Sequence, residues 1–289
     1  MNSLESVLLR QKKRIQFVTD VCRNLPQDAT KTRDTNKELV PSDFQEFFVD
    51  DTRRILYCQI PKVACTSWKR ILLVLSGGLS NISNPEDIDH KLVHGAYRKK
   101  YLRTLDRYSP MEIQYRLDKY YKFMFVRDPM ERILSAYRDK FDYNRSTYFT
   151  SRMGKQIVRR YRVNASNDSL EKGHDVTFQE FVIYLLDPFT TKLRPLNHHW
   201  GPYHKLCHPC LVQYDLIGKY ETLSEDAGLA LKQMGVEHLI KFPRHELGPS
   251  ETKKRLSDAY ANISAAHIYQ LWKLYSTDFL IFNYDYPRL

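Results

Sequence analysis

The chain has 289 residues, 42% of them hydrophobic, with 20 Tyr and 14 Phe, a composition that supports a large core and argues against a disordered polymer. Its formal net charge of +11 suits an anionic partner without choosing among nucleotide, nucleic acid, membrane and acidic polysaccharide. No run of about 18 apolar residues occurs, so no transmembrane helix is expected, and "MNSLESVLLRQKKRIQFV" is too polar for a signal peptide.

Residues 1–45 are polar, with little sustained periodicity, and read as a stem or loosely attached arm; residues 46–289 read as one catalytic domain. "RRILYCQI" (53–60) is rich in β-branched and aromatic residues and predicts a strand. Trp68, Ile71, Leu72 and Leu75 then recur at helical spacing, and Gly77 and Gly78 end that helix. "YKFMFV" (121–126) is a continuous apolar run, as in a buried parallel strand. Pro129 sits where a first helical turn tolerates proline, and Ile133, Leu134, Tyr137 and Phe141 follow on one face. A third strand–helix unit spans 214–236, its strand ending near Tyr220. Further helices are expected over "TFQEFVIYLLD" and, after a Ser264 cap, over "SAAHIYQLWKLYSTDFLIF". Strands alternating with helices predict an α/β fold with a parallel sheet.

The link between the first strand and helix, "IPKVACTSWKR", puts Lys62 ahead of the small residues Ala64, Cys65, Thr66 and Ser67. Small residues let a phosphate approach the open N–H groups of a helix start, and the lysine adds charge. No G-x-x-x-x-G-K-[ST] occurs, so the magnesium-nucleotide loop is absent. Taken alone, the segment fits a phosphate site and a plain connecting loop equally well. Arg127 follows the second strand directly, where parallel sheets present ligand-binding groups, and Ser135 falls two turns later. Asp128 is a candidate to cap the helix or to orient Arg127.

"PKVACTSWKR" and "RDPMERILSAYRDKF" resemble the 5′-phosphosulfate and 3′-phosphate motifs of Golgi carbohydrate sulfotransferases, in the same order. The resemblance extends through "FVIYLLDP", "LCHPC", "YDLIGKYETLSEDA" and "DFLIFNYDYP", covering most of residues 50–287. It points to the branch holding the chondroitin and dermatan 4-O-sulfotransferases and the HNK-1 sulfotransferase. Ser67 stands where asparagine is commoner in that family, and Met130 where phenylalanine is commoner.

The resemblance implies a P-loop-like sulfotransferase fold, a parallel sheet with helices on both faces. It implies the sulfate donor PAPS (3′-phosphoadenosine 5′-phosphosulfate) and no metal. Lys62 would neutralise the leaving oxygen, with the loop Val63, Ala64, Cys65, Thr66, Ser67 and Trp68 around the 5′-phosphate. Arg127 and Ser135 would hold the 3′-phosphate, within a motif that also includes Asp128, Pro129, Met130, Glu131 and an assisting Arg132. Related glycan sulfotransferases place a catalytic histidine between the two motifs. His94 is the candidate general base, with His90 or a carboxylate as alternatives and His198 and His199 as second candidates or sugar contacts.

The implied acceptor is an anionic glycan, chondroitin or dermatan, sulfated at the 4-hydroxyl of N-acetylgalactosamine. The basic stretches 97–107 and 159–166 are candidates to line its path. The alternatives are transfer to terminal glucuronic acid or to N-glycan N-acetylgalactosamine, or an inactive glycan-binding protein. Family members are usually type II Golgi membrane proteins, and this chain shows no such anchor.

Sequons begin at Asn81, Asn144, Asn164, Asn167 and Asn262, and five cysteines permit two disulfides and one free thiol. "CHPC" with His204 is a weak zinc pattern, and a disulfide or structural role is expected instead.

Overall fold

The structure, a computed structural model, describes residues 3–26, 39–79, 82–142, 147–193, 195–243 and 249–287. The sequons at Asn81 and Asn144 lie outside the described residues, as does part of the expected arm. The chain divides into two compact units, one built from 1–127, 203–246 and 281–283, the other from 128–202, 247–280 and 284–289. Among the described residues no helix is long and apolar enough to cross a membrane.

The first unit opens with a helix, α1 (Ser3–Asn24), where the sequence predicted a loose arm. Val7, Gln11 and Val18 are buried on one side of it. The stripe is easy to miss because polar Gln11 and Arg14 share this face. Both serve a strand. In β5 (Leu216–Lys219), the N–H of Ile217 donates to Gln11 Oε1 (3.3 Å), and its carbonyl accepts from Arg14 Nη1 (3.3 Å). An edge strand left bare is a template for unwanted pairing, and α1 covers this one. Arg14 also donates to Asp226 Oδ2 (2.6 Å), and Gln11 and Arg10 to Asp226 Oδ1 (both 3.0 Å). Burial alone would raise the Asp226 carboxyl. Hydrogen bonds from Thr222 and the Lys219 N–H, with the Arg14 charge, outweigh it and hold the group below the usual carboxylate range. The Cys22–Cys210 disulfide fastens the end of α1.

The sheet runs β3-β1-β2-β4-β5, with β1 (Phe47–Asp50), β2 (Ile55–Cys58), β3 (Arg103–Thr104) and β4 (Tyr121–Val126). β2, β4 and β5 are parallel, as predicted, in the registers Cys58↔Met124 and Val126↔Lys219. β1 and β3 extend the sheet antiparallel on the other side, an addition the short sequence 47–50 did not reveal. Trp68 is fully buried against Phe123 and Phe125, with centroids 4.7 and 5.2 Å away. Gly218 is required opposite Phe125, because a Cβ there would lie 2.1 Å from the Phe125 ring.

The second unit opens with a helix, α6 (Pro129–Tyr137), and has its own core around Phe141, Phe181, Trp200 and Tyr275. The predicted helices are present as Phe178–Leu186 and Ala265–Ile281, and Ser264 Oγ accepts from the His267 N–H as the expected cap.

Candidate functional site

Because β2, β4 and β5 are parallel, their carboxyl ends share one edge of the sheet. Three segments leave there: the loop 59–64 after β2, Arg127 after β4, and Tyr220 after β5. Ligands in open α/β sheets bind at this edge.

The loop after β2 leads into α2 (Cys65–Leu75). Lys62 (φ 73) and Ala64 (φ 54) are non-glycine residues in the left-handed region. Each costs on the order of 1–3 kcal/mol and persists only where surroundings impose it. Alternating backbone handedness turns successive N–H groups into a concave anion cradle. No side chain caps α2, so its first amides face outward together with the helix dipole. Ala64, Thr66 and Ser67 are half-exposed at this opening, whereas Val63 and Trp68 are buried and offer only backbone. The buried Cys65 is the free cysteine. These features fit a phosphate-sized anion, with Lys62 in the same turn.

A histidine arrives from 28 residues downstream. Asp89 caps α3 (His90–His94) by accepting from the Lys91 and Leu92 N–H groups, and Val93 buries itself with Leu73 and Ile88. Full burial of one such valine contributes on the order of 1.5–3 kcal/mol and fixes the neighbouring residue. That neighbour, His94, is exposed and places Nε2 3.0 Å from Thr66 Oγ1. Lys69 Nζ lies 3.4 Å from His94 Nδ1. A charged ammonium only donates, so this contact assigns Nδ1 as acceptor and the ring proton to Nε2. Lys69, buried at 5% exposure, is the site residue that the sequence reading passed over. Its only signal was a lysine one turn beyond Thr66 on the same helix. His90 stacks near His94 with centroids 4.6 Å apart and is equally exposed.

Arg127 is held from two sides. Its backbone carbonyl accepts from Tyr203 Oη (2.7 Å), and its guanidinium lies 4.2 Å from the Tyr220 ring centroid. The register that sets Val126 beside Lys219 makes Arg127 and Tyr220 neighbours. Cys58, at the end of β2, is tied to Cys207 by a disulfide, which anchors the start of the loop. Both cysteines of "CHPC" are therefore oxidised, and no metal-holding group of His, Cys, Asp or Glu occurs among the described residues.

In the second unit α6 (Pro129–Tyr137) begins at Asp128, whose Oδ1 accepts from the Met130 and Glu131 N–H groups (2.8 and 3.0 Å). Asp128 is thus the cap that the sequence allowed. Met130 and Pro129 are buried, and Glu131 and Ser135 are half-buried. Arg132, read as a phosphate helper, is 2% exposed and donates to the carbonyls of Gly201 (2.6 Å) and His198 (2.7 Å). Its guanidinium braces the "PLNHHWG" loop. There His199 Nδ1 meets Asn197 Oδ1 at 2.7 Å, and the His198 ring packs edge-on against His199.

The profile described as "Sulfotransferase family" matches residues 45–285. Carbohydrate sulfotransferase 11 of Rattus norvegicus is 44% identical over 283 residues, covering 98% of this chain and 78% of the relative. Carbohydrate sulfotransferase 12 of Mus musculus is 36% identical, covering 96% and 69%. Carbohydrate sulfotransferase 8 of Homo sapiens is 37% identical, covering 96% and 63%. No solved structure matches the chain.

Proposed function

Because this chain belongs to the sulfotransferase family, we propose that it transfers a sulfuryl group from PAPS to a carbohydrate, the 4-hydroxyl of N-acetylgalactosamine in chondroitin or dermatan. The carrying observation is the contact of His94 with Thr66 at the uncapped start of α2, one turn from Lys62. A candidate base and an anion cradle meet there, although 28 residues separate them in sequence. The carbohydrate in the relatives' names supports the acceptor class, and the motif resemblance supports the 4-hydroxyl of chondroitin.

PAPS supplies an activated sulfuryl group on a phosphate leaving group. The amides of residues 64–67 hold the 5′-phosphate, and the Lys62 ammonium neutralises charge on the leaving oxygen. Arg127, pre-oriented on Tyr220, and Ser135 hold the 3′-phosphate. His94 takes the proton of the acceptor hydroxyl at Nδ1 once that hydroxyl displaces the Lys69 ammonium there. Little covalent chemistry falls to the protein, and positioning supplies most of the rate.

The covalent chemistry supports an oxidising compartment. Two disulfides persist in an oxidising environment, and the sequon residues Asn164, Asn167 and Asn262 are exposed. We assign the protein to the Golgi lumen on this basis, together with the motif resemblance.

The test is sulfate transfer from labelled donor to a panel of desulfated acceptors, with product disaccharides analysed. Incorporation at the 4-position of N-acetylgalactosamine in chondroitin or dermatan is expected. Incorporation confined to terminal glucuronic acid, or to N-glycan N-acetylgalactosamine, overturns the acceptor assignment.

A further inference from the structure

Several arginines among the described residues are already paired with carboxylates. Arg162 grips Glu180 with two donors and Asp175 with a third, and Arg160 pairs with Asp187. The basic stretch 159–166 is therefore largely neutralised within its own unit. The stretch 97–107 behaves differently. The short helix α4 (Ala96–Tyr101) runs into β3, and the two frame a cavity of about 560 Å³. Arg98, Lys99, Lys100, Arg103 and Arg107 line it, and no acidic side chain does. None of the five forms an ion pair among the described residues.

Three of them lie over rings. Arg98 lies 5.6 Å from the Phe48 centroid, Arg103 4.6 Å from that of Tyr108, and Lys100 5.0 Å from that of Tyr101. Arg98 Nε is buried without a hydrogen-bond partner. Five cations gathered around one cavity repel each other and oppose folding, so a bound polyanion stabilises this arrangement.

The position is informative. β3 stands two strands from β2, roughly 10 Å across the sheet, so the cavity is separate from the loop at Lys62. It is close to the candidate base. His94 Nδ1 to Lys69 Nζ is 3.4 Å, Lys69 Nζ to the Phe48 centroid 5.9 Å, and that centroid to Arg98 Cζ 5.6 Å. These steps bound the separation of Arg98 from His94 at about 15 Å, a span that a short oligosaccharide covers.

We infer that the α4–β3 cavity is an anion subsite for the acceptor chain, holding carboxylate groups of a uronate-bearing glycan while a sugar beside it reacts at His94. The inference deepens the acceptor reading above and rests on it. Tyr101 adds a ring to the lining on which a sugar face can rest. The concave form suits a polysaccharide chain better than a flat membrane surface. The cations act on the acceptor's binding and steering rather than on the chemical step.

The test is the double variant Lys100→Glu/Arg103→Glu, both at exposed positions away from the cofactor loop. Transfer kinetics are measured on unsulfated chondroitin and on carboxyl-reduced chondroitin. Binding of a fluorescein-labelled unsulfated chondroitin oligosaccharide is measured separately by anisotropy. The expected result is a KM for chondroitin raised at least tenfold, with kcat within twofold and the KM for PAPS unchanged. Labelled oligosaccharide should bind at least tenfold more weakly, and Lys100→Arg/Arg103→Lys should restore it. With carboxyl-reduced chondroitin the wild type and the variant should behave alike.

Unchanged KM and unchanged oligosaccharide binding overturn the inference. So does an equal loss on the carboxyl-reduced chain, or a loss only in binding to phosphatidylserine vesicles. Absence of wild-type transfer to chondroitin defeats the acceptor reading instead, and the anisotropy arm then decides the subsite by itself.

Discussion

The helix starts at Cys65 and Pro129 each follow a parallel strand, yet their amides have opposite fates. At α2 no side chain caps the first turn, and Lys62 and Ala64 hold a left-handed backbone that turns N–H groups outward. At α6 the Asp128 carboxylate takes the Met130 and Glu131 N–H groups. An uncapped first turn is a cost unless an anion compensates it, whereas a capped one is a stable structural end. Arg127, one residue before the Asp128 cap, is the group proposed above to supply by side chain what a capped helix start withholds by backbone. On the proposed reading the two motifs would bind anions by different means, amides and lysine in one, guanidinium in the other.

Four experiments break or sharpen that contrast. The largest effect belongs to Lys62→Ala, expected to lower kcat about 1,000-fold with correct folding by circular dichroism. Near-normal turnover would remove the α2 loop from the reaction. His94→Ala should lower kcat about 100-fold and abolish the acidic limb of the pH–rate profile. A retained limb would assign the base elsewhere, with His90 next in line.

A paired comparison follows. Arg127→Ala should weaken binding of the product 3′,5′-bisphosphate about 10–100-fold, as loss of a charged hydrogen bond does. Asp128→Ala should instead cost about 1 kcal/mol of stability, with nucleotide affinity within twofold. Calorimetric titration and urea melts of both variants separate the two roles; equal nucleotide losses would erase the contrast.

The smallest effect near neutrality concerns α1. Asp226 has a depressed pKa in the folded state, so its stabilising bonds are fully present above the unfolded value of about 4 and fade as pH falls through the folded value. The urea midpoint should stay flat between about pH 6 and 8 and drop in acid, less steeply in Asp226→Asn. An unchanged slope in that variant would mean that Asp226 does not govern the acid response.

Local sequence determined the central strands and the helices that follow them. "YKFMFV" is uniformly apolar and becomes β4 over the same six residues, and Trp68, Ile71, Leu72 and Leu75 form the buried face of α2. Lys62 and Arg127 stood out in the sequence as candidates because side-chain type and position after a strand mark them.

Helix α1 was hidden because half of its buried face is polar, and Gln11 and Arg14 make sense only against the Ile217 backbone. Lys69 and the role of Arg132 were hidden for the same reason, since their partners are distant in sequence. The choice between the two basic stretches also lay beyond composition. Arg162 is ion-paired with two carboxylates and Arg103 forms no ion pair among the described residues, a difference that only folding creates. Periodicity and side-chain chemistry are local and survive in the sequence. Whether a charge is neutralised, an amide capped or a strand edge covered depends on what the fold brings next to it.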